Sequence, residues 1–145
     1  MDDARFDPLK LENQLCFPLY ACAREVVKKY KPFLDAIGLT YTQYVTMMVM
    51  WEERQTTSKA IGDRLYLDSG TLTPVLKKLA DKGLVTRVRS EADERNLVVT
   101  LTDAGAALRA RAADIPGQVG RCINLGPEDS LALYMLLYRL LGELA

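Results

Sequence analysis

The stretch Leu65–Leu79, L-Y-L-D-S-G-T-L-T-P-V-L-K-K-L, decides the fold. Its Tyr66-Leu67-Asp68 reads as a turn between two apolar-periodic segments, with Asp68 or Ser69 as the N-cap of the second. Upstream, Thr56-Thr57-Ser58 caps a short helix over Lys59 to Leu65. Downstream, the helix runs to Lys82 and stops at Gly83. Pro74 is awkward, because a proline is tolerated freely only among the first orphan amides. Either the cap lies nearer Thr71 or the first turn is irregular. Beyond Gly83, Leu84 to Arg89 alternates as a strand, Ser90 to Arg95 (S-E-A-D-E-R) is a charged tip, and Asn96 to Leu101 is a β-branched strand. Helix, turn, helix and hairpin, in that order, predict a winged helix-turn-helix and DNA as its partner.

Particular side chains suit that use. Ser69, Thr71 and Thr73 are small hydroxyls that let a helix N-terminus enter a major groove. Lys77 and Lys78 follow at a spacing suited to phosphates. At the hairpin tip Arg95, beside Asp93, suits a minor groove. Each alone reads equally well as a solvated charge or a cap; the ordered set is what points to DNA.

The flanks are helical. Leu9 to about Lys31 has apolar residues at helical spacing and should end before Pro32, with a kink at Pro18. Asp35 to Leu39 is a connector stopped by Gly38. Thr40 or Thr42 caps a helix through Trp51 that is apolar nearly all round and is expected to be the central buried one. Thr102 caps a helix through Ala113, interrupted at Pro116-Gly117. Gly126-Pro127-Glu128 starts a last helix, apolar over too much of its circumference to stand alone on a surface. The expected architecture is mainly α: one 145-residue protomer with a winged-helix part at about 52–102 and a two-stranded wing. N- and C-terminal dimerisation helices at about 1–35 and 115–145 complete it. A homodimer would present two recognition helices to two half-sites of double-stranded operator DNA.

Composition bounds the chemistry. The chain has 19 Lys+Arg, 19 Asp+Glu and no histidine. Without histidine, Cys/His metal sites and Ser-His-Asp or Cys-His nucleophiles are excluded; no metal and no cofactor are expected. Three cysteines without a CxxC pair make neither a zinc site nor a disulfide framework. The acidic start M-D-D-A-R-F-D is no signal peptide, and the run Tyr44 to Trp51 is too short to span a bilayer. A cytoplasmic protein with no membrane partner is expected.

Cys16 lies in L-E-N-Q-L-C-F-P-L-Y-A (Leu11 to Ala21), an apolar helical face whose Asn13, Gln14, Phe17 and Tyr20 are richer than a core stripe needs. A thiol there is ordinarily inert packing. In a chain with no histidine, it is also the group on which a switch can rest. Cys22 lies six residues on and reads as core packing.

The sequence resembles the MarR-type winged-helix repressors, and among them the organic hydroperoxide regulators, over essentially its whole length. The resemblance is densest in Lys10–Ala21, Leu65–Leu79 and Arg89–Arg95, and N-Q-L-C-F is its specific part. It implies that Cys16 is a redox sensor for organic hydroperoxides and that Tyr30 and Tyr41 donate hydrogen bonds to its thiolate across the dimer. Thr42 departs from the proline that relatives often carry there. The resemblance also implies a two-cysteine type with Cys122 as resolving thiol; an unrelated semi-buried thiol is the alternative. Two other functions fit parts of the chain. A repressor released by a small aromatic ligand needs no reactive Cys16, and a thiol peroxidase leaves the recognition helix and wing without a task. The reading preferred is a repressor, not an enzyme.

Overall fold

The computed structural model describes residues 6–92 and 96–145. After a 3-10 turn at Leu11–Asn13 come α1 (Cys16–Asp35), α2 (Tyr41–Glu53), β1 (Gln55–Thr57), α3 (Ser58–Leu65), α4 (Ser69–Asp81), β2 (Val85–Arg89), β3 (Leu97–Leu101), α5 (Asp103–Ala112), α6 (Ile115–Gly120) and α7 (Pro127–Leu144). The chain is mainly helical, with a winged helix-turn-helix at its centre.

Local chemistry sets the boundaries. Thr40 caps α2 through a reciprocal box with Gln43. Thr57 caps α3 by accepting from the Ala60 N–H, and Thr102 caps α5 by accepting from Gly105. Asp68 caps α4, so Pro74 sits inside that helix rather than near a displaced cap. Pro74 removes the amide that would bond the Gly70 carbonyl, while on either side of that gap Leu72 N–H donates to the Asp68 carbonyl at 3.0 Å and the Thr73 hydroxyl to the Ser69 carbonyl at 2.6 Å. Gly38 and Gly83 take φ of 70° and 74° just past α1 and α4, the left-handed conformation that suits glycine.

Several expectations change. α1 begins at Cys16, not Leu9, and runs through Pro32 to Asp35. Pro18 is therefore its third residue, where the amide has no partner to lose, and no kink is required. Pro32 falls in the last turn, so only one backbone bond is forfeited. The wing hairpin gains a third strand: β1 pairs antiparallel with β3 on the side away from β2, giving the order β1-β3-β2. Three residues beside a cap are too few to show an alternation in sequence. Pro116 and Gly117 lie within α6; the break precedes them. Cys22 is exposed, because the first half of α1 extends beyond the protomer's core.

The core centres on α2. Tyr44, Met47, Val49 and Met50 pack with Leu34, Ile61, Leu72, Leu76, Leu79, Val85 and Val99. By contrast α7 has no buried residue, and Leu131, Tyr134, Leu136, Tyr138 and Leu144 are all more than half exposed. The N-terminal side is similarly bare, with Leu9 90% and Leu15 86% exposed. Among the described residues no helix is long and apolar enough to cross a membrane.

Candidate nucleic-acid interface and thiol site

The buried leucines of α4, Leu72, Leu76 and Leu79, define its inner face. At about 100° per residue, Gly70 and Pro74 then centre the outer face. Thr73 and Lys77 lie on one flank, Thr71 and Lys78 on the other, and all are exposed. Gly70 and Pro74 were not among the expected residues, yet their small profile lets the helix approach a groove closely.

Two of the three hydroxyls are engaged. Asp68 accepts from both the N–H and the hydroxyl of Thr71, at 2.8 and 3.1 Å. The first of these bonds is the main cause holding the Asp68 carboxyl below its ordinary range. With Thr73 donating into its own helix, Thr71 and Thr73 present acceptor lone pairs outward; Ser69 is exposed at the first position.

A cavity of about 470 Å³ lies between the start of α4, α3 and the wing, lined by Ser58, Lys59, Ser69, Thr73, Arg87 and Arg89 among others. Arg87 and Arg89 alternate along β2 and so share one face. They add two cations beside the recognition helix that a search confined to the hairpin tip misses; the two-residue spacing on a strand is the signal. Asp93 and Arg95, the expected tip residues, lie outside the described residues. Lys77 and Lys78 lie farther along α4 than the hydroxyls, on opposite flanks.

Within one protomer Cys16 and the two tyrosines expected beside it lie apart. Cys16 is the exposed first residue of α1, at the positive end of the helix dipole. The polar residues before it fold the arm back on itself: Asn13 Nδ2 donates to the Asp7 carbonyl at 2.8 Å, and Gln14 Nε2 donates to the Pro8 and Lys10 carbonyls at 2.6 and 3.0 Å. Tyr30 is fourteen residues along the same helix, about 21 Å of rise from Cys16. It packs edge-on against Tyr41, with centroids 5.0 Å apart, and both touch Tyr44 at 5.9 and 6.2 Å. Burial, then Tyr30, pushes the Tyr41 phenol above its usual range. Burial, then Tyr30 and Tyr41, pushes Tyr44 up to about 12. Protonated phenols are hydrogen-bond donors. Cys122 lies just past α6, exposed, with its Sγ 3.5 Å from the Gln118 carbonyl.

These parts define a winged helix-turn-helix DNA-reading protein with an exposed thiol at a helix start. The profile of the transcriptional regulator SarA/Rot family matches residues 28–111. The organic hydroperoxide resistance transcriptional regulator of Bacillus subtilis (strain 168) is 50% identical over 140 residues, 97% of this chain and 95% of that protein. AbfR of Staphylococcus epidermidis, solved reduced and bound to DNA, superposes with a TM-score of 0.77 at 35% identity, covering 93% of this chain and 94% of that one. Its disulfide-formed state gives 0.63 at the same identity, covering 92% and 91%. The chain belongs to the SarA/Rot family of transcriptional regulators and, at 50% identity over nearly its whole length, to the organic hydroperoxide resistance regulators within that winged-helix fold.

Proposed function

We propose that this chain is a redox-sensing repressor that binds double-stranded operator DNA as a reduced homodimer and releases it when an organic hydroperoxide oxidises Cys16. The observation that carries the reading is the division of the thiol site. Cys16 and Tyr30 are about 21 Å apart along one helix, so Tyr30 can meet a Cys16 thiolate only from the partner. The bare apolar faces of α1 and α7 supply a reason to dimerise. The better superposition on reduced, DNA-bound AbfR than on its disulfide form supports a protomer in the DNA-competent shape.

In this reading Ser69, Thr71 and Thr73 meet the groove, Lys77 and Lys78 meet phosphates, and Arg95, flanked by Asp93, reaches the minor groove from the wing. The winged-helix part spans about 52–102, and the dimer forms through about 1–35 and 115–145. Tyr30 and Tyr41 of each protomer donate to the other's Cys16 thiolate. That thiolate attacks the hydroxyl oxygen of the peroxide, the O–O bond breaks, the sulfur keeps that hydroxyl as a sulfenic acid, and the alkoxide leaves as the alcohol with a proton taken from water. Attack by the partner's Cys122 forms a disulfide and releases water. In this reading the protein is a cytoplasmic sensor and not an enzyme, since turnover would need a reductant to restore the thiol after each peroxide.

The test pairs operator binding with non-reducing gels, before and after cumene hydroperoxide. Wild type should lose the operator and run as a covalent dimer. The band should vanish in Cys16→Ser and Cys122→Ser and persist in Cys22→Ser. A monomeric oxidised band would make Cys122 a bystander, and retained operator would sink the redox reading.

A second reading is favoured by a cavity of about 490 Å³ lined by Tyr44, Met48, Trp51, Glu52, Arg109 and Pro116. Aromatic and apolar walls with one guanidinium and one carboxylate suit a small aromatic ligand. Release of the operator by such a ligand in Cys16→Ser would support it.

A further inference from the structure

The end of α4 remote from the groove is fastened to the start of α2. Lys82, the C-cap of α4, donates from Nζ to the Gly38 carbonyl and, at 3.2 Å, to Gln43 Oε1. Gln43 is a buried polar side chain, 3% exposed. The same Oε1 accepts from the Thr40 N–H at 3.1 Å, while the Gln43 N–H donates to Thr40 Oγ1 at 3.2 Å. Those two bonds are the capping box of α2, and Tyr41 is the first residue inside it. A single ammonium thus links the recognition helix to the cap that carries a sensor tyrosine.

Lys82 is poorly placed for DNA. It lies thirteen residues beyond Ser69, about 20 Å along the helix. Its length and charge are instead used on a corner of the fold. Gly38, in the left-handed region, leaves the α1–α2 connector with no side chain at that point. The lysine therefore grips backbone on one side and the cap side chain on the other. A displacement of Tyr41 that carries its backbone also carries the first turn of α2, because the cap ties that turn together. Gln43 and Lys82 offer such a shift a contiguous route to α4, which is thirteen residues long.

We infer that Lys82 is the positioning residue that couples the thiol site to the recognition helix. This rests on the reading of Tyr41 as a thiolate donor. The variants are Lys82→Met, which keeps the stem and removes the ammonium, and Lys82→Arg, which keeps the donors. The first arm needs no oxidant: backbone hydrogen exchange over residues 38–44 in the reduced dimer, with and without a duplex selected from random DNA by the reduced wild type. DNA should slow exchange there in wild type. The effect should shrink about fivefold in Lys82→Met and return in Lys82→Arg, the lower end of ordinary coupling between sites. Equal protection in Lys82→Met overturns the inference.

The second arm measures duplex affinity before and after cumene hydroperoxide. Lys82→Met should hold the duplex nearly as well as wild type when reduced, while its oxidised-to-reduced affinity ratio falls about fivefold. An unchanged ratio also overturns the inference, even if reduced affinity drops, since Lys82 would then serve only folding or DNA contact. A wild type that keeps its duplex after oxidation sinks the reading of Cys16 instead, and the exchange arm still judges the bridge.

Discussion

Gly105→Ala should be among the most damaging single-methyl additions in this chain. A Cβ at that position would lie 2.1 Å from the Leu84 carbonyl oxygen and 2.8 Å from Leu101 Cδ1. It is short of contact with a backbone atom by roughly 1 Å, so the start of α5 must retreat. Three bonds cross that seam: Trp51 Nε1 to the Gly105 carbonyl at 2.8 Å, the Thr102 hydroxyl to the Gly83 carbonyl at 2.6 Å, and Thr102 N–H to the Leu84 carbonyl at 3.2 Å. Overpacking costs up to about 3 kcal/mol, and each strained hydrogen bond adds about 0.5–1 kcal/mol. Alanine returns about 1 kcal/mol of helix propensity. With overpacking at its upper value the net expectation is a loss of about 3.5–5 kcal/mol, a large part of the roughly 5–15 kcal/mol that holds a domain folded. Urea unfolding at fixed protomer concentration measures it, as a lower midpoint at unchanged slope. Gly117→Ala is the control, since a Cβ there meets nothing within 4 Å; it should be neutral or stabilising. A loss below about 1 kcal/mol in Gly105→Ala would refute the close approach of α5 to the wing.

The double replacement Tyr30→Phe and Tyr41→Phe should slow alkylation of Cys16 by iodoacetamide in the dimer; matching rates across pH would remove the phenols from the sensor. Lys77→Ala should weaken binding to all DNA sequences alike and reduce the salt slope by about 1, read from titrations at several salt concentrations. A sequence-dependent loss would instead make Lys77 a base reader. Tyr44, pushed up to about 12 mainly by burial, keeps its proton where an unfolded tyrosine, near 10, has lost it. Its contribution to stability is therefore fully present below about pH 10 and lost as pH rises towards 12. Tyr44→Phe should flatten stability over that window, and an unaltered profile would contradict the burial.

Near-neighbour signals determined much of this protein. Thr40, Thr57, Asp68 and Thr102 each cap the next helix in the chain, because a cap is a contact within three residues. The apolar circumference of α2 marked the central helix, since periodicity reports burial directly. Periodicity placed Cys16 within a helix from Leu9, whereas it is the first residue of α1, because the polar residues before it bond back to the arm instead of continuing the helix. What the sequence left open depends on partners distant in the chain. The third strand exists because Gln55–Thr57 meets Val98–Thr100, more than forty residues away. Arg87 and Arg89 join the cavity lined by α3 and α4 only once β2 lies beside α4. Lys82 reaches Gly38 and Gln43 across sequence separations of 44 and 39 residues. Periodicity and caps are written locally, whereas a cluster of side chains from separate elements is fixed only when the core brings those elements together.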